Sequence, residues 1–194
     1  MTHILGIIGS LGERSLTRTA VLYVLDQARD QGASTDVIDL QEIDLPMFNP
    51  DTDTQATYLN LLEKVNAAQG YVLGTPDYHG SFSGALKNIL DHFWKEFAGK
   101  LFGTVCTSYE KGLTVTDHLR TVIRQCYGWS LPYGVCVSPV DSDDDSAVIT
   151  NPAVSKRLHM LASDMVRYTP LLYGQFEKDK AHALSQAGFA SHYR

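Results

Sequence analysis

Strand-like and helix-like segments alternate five times along this 194-residue chain, and that alternation constrains its fold more than any other feature. Apolar runs bounded by turn residues read as buried strands over 4–8, 36–40, 70–75, 101–107 and 131–137. After each of them, apolar residues recur at helical spacing, over 16–31, 56–68, 84–97, 115–127 and 154–171. The first helix shows the pattern. Ala20, Val21, Val24, Leu25 and Ala28 share one face, and Gly32 stands where the helix stops. Repeated strand–helix–strand units make parallel, right-handed crossovers. They predict one α/β domain over 1–172, with helices on both faces of a doubly wound five-stranded parallel sheet in the order 2-1-3-4-5. Residues 173–194 show weak periodicity, and read either as a packed tail or as an arm reaching a partner subunit.

Composition then excludes several partners. Sixteen Lys+Arg against 22 Asp+Glu give a net charge of −6, with no basic run, so no nucleic-acid partner is expected. No apolar run approaches the roughly 18 residues of a membrane span. The start, Met1-Thr2-His3 and then an apolar run, lacks the basic residues and cleavage site of a signal peptide. Cys106, Cys126 and Cys136 are scattered, with no CxxC, which suggests buried thiols in a reducing cytoplasm. The acidic stretch Asp141, Asp143, Asp144 and Asp145 lacks the glycine and closing glutamate of a calcium loop and reads as solvated surface. No metal site is expected.

In an open parallel sheet the ligand sits beyond the carboxyl ends of the strands, where the strand order reverses. Here that places the loops 9–18 and 75–83 across one crevice. The first carries Ser10, Gly12, Arg14, Ser15, Thr17 and Arg18 into a helix, which suits a phosphate or an ordinary capped helix start. It lacks the GK[ST] ending of a P-loop and does not fit GxGxxG. The second, Pro76-Asp77-Tyr78-His79-Gly80-Ser81, offers main-chain donors and an aromatic ring at the same point, which suits a planar polar heterocycle. A loop histidine such as His79 is usually plain polar surface.

Thr75-Pro76-Asp77-Tyr78-His79, followed by Ser83-Gly84-Ala85-Leu86-Lys87-Asn88-Ile89-Leu90-Asp91, resembles the Pro-Glu-Tyr and Gly-x-Leu-Lys-Asn-x-x-Asp pattern of the flavodoxin-like NADPH-dependent FMN reductases. Within that family the azobenzene reductase and small quinone reductase branch is most similar. Gly9-Ser10 with Ser15, Thr17 and Arg18, and the segment 119–124, add to the resemblance, which spans about 3–170. It implies bound FMN, with NADPH or NADH as co-substrate. Ser10, Ser15, Thr17 and Arg18 would hold the phosphate, and Pro76, Asp77, Tyr78 and His79 would border the ring system. Ser108, Tyr109, Glu110, Lys111 and Gly112 would flank its pyrimidine edge. A main-chain N–H near His79 or Gly80 would face flavin N5, and Lys111 would face N1.

Three positions depart from the family pattern. Gly12 stands where the family often has Arg, Asp77 replaces Glu, and 108–112 replaces a Gly-rich run. Tyr109 reads either as a lid over the ring or as a surface tyrosine.

The resemblance implies hydride passing from NAD(P)H through FMN to a small acceptor such as a quinone, an azo compound, free flavin or a metal ion. No acid–base residue is nominated. A non-enzymatic electron carrier like flavodoxin, or a flavin-binding module, is the alternative. The aromatic surplus of 84–97, with Trp94, and of Tyr127 and Trp129 predicts a homodimer or a dimer of dimers.

Overall fold

The computed structural model describes residues 1–51, 56–143, 148–182 and 188–193. Its core is a parallel sheet. Strand β1 (His3–Ile8) lies between β2 (Ser34–Asp39) and β3 (Gly70–Tyr78), and β5 (Leu101–Thr107) pairs with the far side of β3. The outermost position is shared by two short strands, β6 (Trp129–Ser130) and β7 (Val135–Val137), both parallel to β5. The order 2-1-3-4-5 read from the sequence holds, but its last strand is split. Leu131 still donates to the Phe102 carbonyl. Pro132 has no N–H to continue the ladder, and the chain rejoins β5 three residues later at Val135. A two-residue strand, β4 (Ser81–Phe82), folds back antiparallel on β3.

The alternation of β1 explains the layers. Ile4 and Ile8 pack under α1 (Leu16–Asp30) and α5 (Pro152–Ala181), with Val21, Val24, Leu158, Leu161 and Met165. Leu5 and Ile7 face the other way, toward α2 (Ala56–Ala67), α3 (Gly84–His92) and α4 (Leu113–Gln125), with Leu61, Leu86, Ile89, Val115 and Leu119. Period-2 strands and period-3.6 helices thus close two cores on one sheet.

The helix expected over 84–97 ends at His92. Phe93 is extended, and Lys95–Phe97 form a 3-10 turn. Packing overrides the helical pattern here. Phe93 stacks on Tyr58 at 5.4 Å, and Phe97 sits edge-on to both Tyr71 and Phe102. The last helix runs ten residues beyond its expected end, through position 172. Phe176 and the turn Phe189–Tyr193 then pack on Ala98, and Phe189 stacks on both Phe176 and Tyr127.

Lys100, just before β5, is buried, and its ammonium donates to the carbonyls of Val65 and Asn66 and to the Tyr71 hydroxyl. A cation there satisfies orphan carbonyls at the end of α2. Burial pulls its pKa down from 10.5 to about 8, against the favourable field of Glu96 and Glu177. Below pH 8 the amine is charged in both states, so the burial cost is fully present. Between pH 8 and 10.5 the folded state loses its proton first, so stability against unfolding rises with pH. The shift corresponds to about 3 kcal/mol across that window. Melting curves at several pH values should show this rise for the wild type relative to Lys100→Met. Parallel curves for the two proteins would refute the assignment.

Candidate active site at the reversal point of the sheet

The carboxyl ends of β1, β3 and β5 meet at one edge. From β1 the chain enters a short loop and then α1, whose N-cap is Ser15. The Ser15 hydroxyl oxygen accepts the Arg18 N–H at 3.1 Å, and Ser10 accepts that of Gly12 at 3.4 Å. Both serines are buried. A hydroxyl whose oxygen already accepts a main-chain N–H keeps its own proton for another acceptor. The N–H groups of Leu16 and Thr17 lie in the first turn, where no carbonyl precedes them in the helix. Thr17, also buried, shares a 2.7 Å hydrogen bond with Thr107 at the end of β5. Hydroxyl protons and first-turn N–H groups facing one loop are the donor set an oxyanion requires. A phosphate therefore fits.

Arg18 lies beside this loop but is committed elsewhere. It pairs with Asp39, reaches Gln41, and donates to the carbonyls of Gly12 and Glu13. Those bonds engage all five guanidinium N–H groups. The pairing with Asp39 also holds its pKa above the ordinary value, against the cost of burial. Arg18 was expected to hold an anion directly; in the structure its guanidinium ties the carbonyls of Gly12 and Glu13 to Asp39. Arg14, in the same loop, is exposed. A side chain at Gly12 would meet only the Ser10 hydroxyl and the Arg14 carbonyl, at 3.8 and 3.9 Å.

From β3 the chain turns back at once. His79 and Gly80 both have positive φ, 58° and 78°, as the two-residue turn of a tight hairpin requires. Asp77 fixes the turn, because one carboxylate oxygen accepts the Gly80 N–H at 2.8 Å and the other accepts the Ser108 hydroxyl at 2.9 Å. Asp77 is thus a tie between two loops. The Gly80 N–H is spent on it, which leaves the His79 N–H as the candidate donor at this turn. The His79 side chain is exposed at the hairpin tip and does not line the cleft.

Between the hairpin and the segment 108–112 lies an open cleft of about 1010 Å³. Pro76, Asp77, Tyr78, Gly80, Ser108, Tyr109, Glu110, Lys111 and Gly112 line it, all of them residues expected from the sequence. Thr107, Leu113, Thr114 and Pro139 line it too and were not expected. Tyr109 is 87% exposed and Tyr78 56% exposed, so both present surface to solvent. Ser108 is buried, and its hydroxyl oxygen also accepts the Glu110 N–H, which shapes the turn.

Ser83 ends the second loop and opens the quoted motif, and the sequence assigns it no task. It caps α3 by accepting the Leu86 N–H, and it donates to the Gly9 carbonyl at 2.6 Å, so α3 is fastened to the end of β1. A serine directly before a helix that opens with glycine was the signal available for it. Among the described residues no group of His, Cys, Asp and Glu is arranged to hold a metal. Asp144 and Asp145 lie outside the described residues. No helix of the described chain is long and apolar enough to cross a membrane.

The family model for NADPH-dependent FMN reductase matches residues 2–141, which include every loop of this site. The chain belongs to that family. Members of the NADPH-dependent FMN reductase family are oxidoreductases, and this chain is an FMN-dependent NAD(P)H oxidoreductase by that membership. An FMN-dependent NADPH-azoreductase of Staphylococcus haemolyticus (strain JCSC1435) is 30% identical over 175 residues, covering 84% of this chain and 92% of that protein. Among solved structures, a flavoenzyme NAD(P)H:(acceptor) oxidoreductase from Paracoccus denitrificans superposes with a TM-score of 0.74 at 18% identity. That match covers 89% of this chain and 99% of the other. An NAD(P)H:quinone oxidoreductase from Methanothermobacter marburgensis gives a TM-score of 0.65 at 11% identity, covering 84% and 96%. At these identities the two structures speak for the fold alone, and the family assignment rests on the sequence.

Proposed function

We propose that this reductase seats the FMN phosphate in the segment 10–17, with the ring system in the cleft between the hairpin and 108–112. On this reading it passes hydride from NAD(P)H to a small acceptor such as a quinone or an azo compound. The observation that carries the reading is the meeting of two features at one edge of the sheet. A loop of buried hydroxyls opens α1, and an open cleft lies beside it, with Thr17 and Thr107 bonded across the two. When bound, FMN supplies the hydride chemistry, and the protein supplies position and electrostatics.

The residues of the chain divide that work. Ser10, Ser15 and Thr17 donate to the phosphate, while Arg18 holds their loop in shape. Asp77 keeps the hairpin and the Ser108 turn at a fixed spacing, which sets the width of the cleft. Lys111 has no carboxylate partner among the described residues and stands at the cleft wall as the cation for a reduced ring. Tyr78 and Tyr109 offer exposed ring surface on which a flat acceptor or a nicotinamide can lie.

The test uses purified protein. Heat-released flavin should chromatograph as FMN, and NADPH consumption should accelerate on adding a benzoquinone or an azo dye. Released FAD would overturn the proposed seat. An FMN that stays oxidised under NADPH would instead support the electron-carrier reading.

A homodimer belongs to the same proposal. Trp94 follows α3 and is 66% exposed, a large apolar surface on one side chain. Tyr127 and Trp129 lend less support than expected, because Phe189 of the same chain stacks on Tyr127 and meets Trp129 edge-on. Light scattering should give about twice the 21.5 kDa chain mass, and Trp94→Glu should shift it toward 21.5 kDa. A monomer at micromolar concentration would refute the dimer. A reducing, cytoplasmic setting suits three cysteines that are all free.

A further inference from the structure

We infer that Cys106 and Cys136 form a reversible dithiol–disulfide couple beneath the cleft wall, oxidised by a hydroperoxide. The two residues are register partners on the parallel strands β5 and β7. Register partners project to the same sheet face, with Cα atoms about 4.8 Å apart, the strand spacing. That spacing falls within the roughly 4.4–6.8 Å that disulfides span. Both sulfurs converge on one point. A methyl group at Gly112 would lie 3.0 Å from the Cys106 sulfur and 3.2 Å from the Cys136 sulfur.

Their access to solvent differs in the way a two-step oxidation needs. Cys106 is buried. Cys136 is half-buried and lines a second pocket of about 590 Å³, on the other side of the segment 108–112. The Cys136 thiol sits below its ordinary pKa, chiefly because Cys106 hydrogen-bonds to it, with the Ser108 main chain adding to the effect against burial. The same bond, together with burial, pushes Cys106 up. Cys136 is thus the attacking sulfur and Cys106 the resolving one.

The chemistry balances on those two side chains and the peroxide. The Cys136 thiolate attacks a peroxide oxygen, an S–O bond forms, the O–O bond breaks, and the leaving oxygen departs protonated, as water when hydrogen peroxide is the oxidant. The Cys106 sulfur then attacks the sulfenic sulfur of Cys136, so that S–S forms and S–O breaks. The Cys106 proton leaves with the departing oxygen as water. Two thiols lose two electrons and the peroxide gains them. A dithiol reverses the step by exchange. The couple lies directly under Gly112, and Cys136 also donates to the Glu110 carbonyl at 3.4 Å, so oxidation acts on the segment that walls the cleft.

The experiment treats the purified protein, with and without FMN, with hydrogen peroxide, alkylates the remaining thiols and reads peptide masses. The expected product is one cross-link between the Cys106 and Cys136 peptides, lighter by two hydrogens and undone by dithiothreitol. Cys126→Ser should form the same cross-link. Cys106→Ser should stop at a sulfenic acid on Cys136 that dimedone traps. The inference is overturned if Cys136 alkylates as fully after peroxide as before, or if the cross-link runs through Cys126. The readout is a peptide mass, so it stands apart from the FMN assignment.

Discussion

Replacing Ser15 by aspartate is expected to remove FMN binding while leaving the fold as stable as before. The two effects separate because Ser15 does two things. Its oxygen caps α1 by accepting the Arg18 N–H. Aspartate caps as well as serine, and a negative charge at a helix N-terminus is favourable in its own right. The same carboxylate would face the proposed phosphate. Two like charges 4 Å apart repel by about 4 kcal/mol at an effective dielectric of about 20, which is on the order of a thousandfold in affinity. Ser15→Ala is the weaker companion, since it loses both the cap, about 1 kcal/mol, and one donor. Flavin titration and thermal melts on the same Ser15→Asp sample check both halves. Wild-type FMN affinity in that variant would place the phosphate outside this loop.

What could be read in the sequence followed from periodicity and position along the strands. Ile4, Leu5, Ile7 and Ile8 announce a strand buried on both faces, and the crossover rule then orders the sheet. The loops at 9–18 and 75–83 needed only the rule that ligands sit where the order reverses. The structure adds what depends on partners distant in the chain. The pairing of Arg18 with Asp39 spans 21 residues and that of Asp77 with Ser108 spans 31, and neither leaves a local trace. The ties of Arg18 to Asp39 and to the carbonyls of Gly12 and Glu13 could therefore not be read beside its expected place at an anion. The end of α3 was misplaced for a related reason. Helical spacing at Phe93 and Phe97 is compatible with a helix, but the ring of Tyr58 supplies a better seat for Phe93 off the helix. Pro132 was visible as a strand breaker, and the expected strand over 131–137 passed over it.

A single methyl group at Gly74 should damage both the fold and the cofactor site. Gly74 lies on β3, facing α1. An added Cβ would come within 2.3 Å of Val21 Cγ2 and 3.0 Å of Thr17 Cγ2, so the first turns of α1 must move outward. Overpacking of this kind costs about 1–3 kcal/mol, or roughly 2–12 °C of melting temperature for a chain of this size. Thr17 is one of the residues displaced, and its hydroxyl makes the bond to Thr107 that joins the proposed phosphate loop to the cleft. FMN affinity should therefore fall at least about tenfold, because a charge-assisted hydrogen bond worth about 1.5–3 kcal/mol loses its geometry. Gly70→Ala is the matched control. Gly70 opens the same strand on the same face, and its added Cβ would press on Thr169 Oγ1 at 2.7 Å and Met165 Cε at 3.1 Å, both on α5 and away from the loop. It should lower the melting temperature by a similar amount and leave FMN affinity nearly unchanged. Equal losses of affinity in the two variants would show that binding tracks overall stability, and that the seating of α1 on β3 does not by itself shape the phosphate loop.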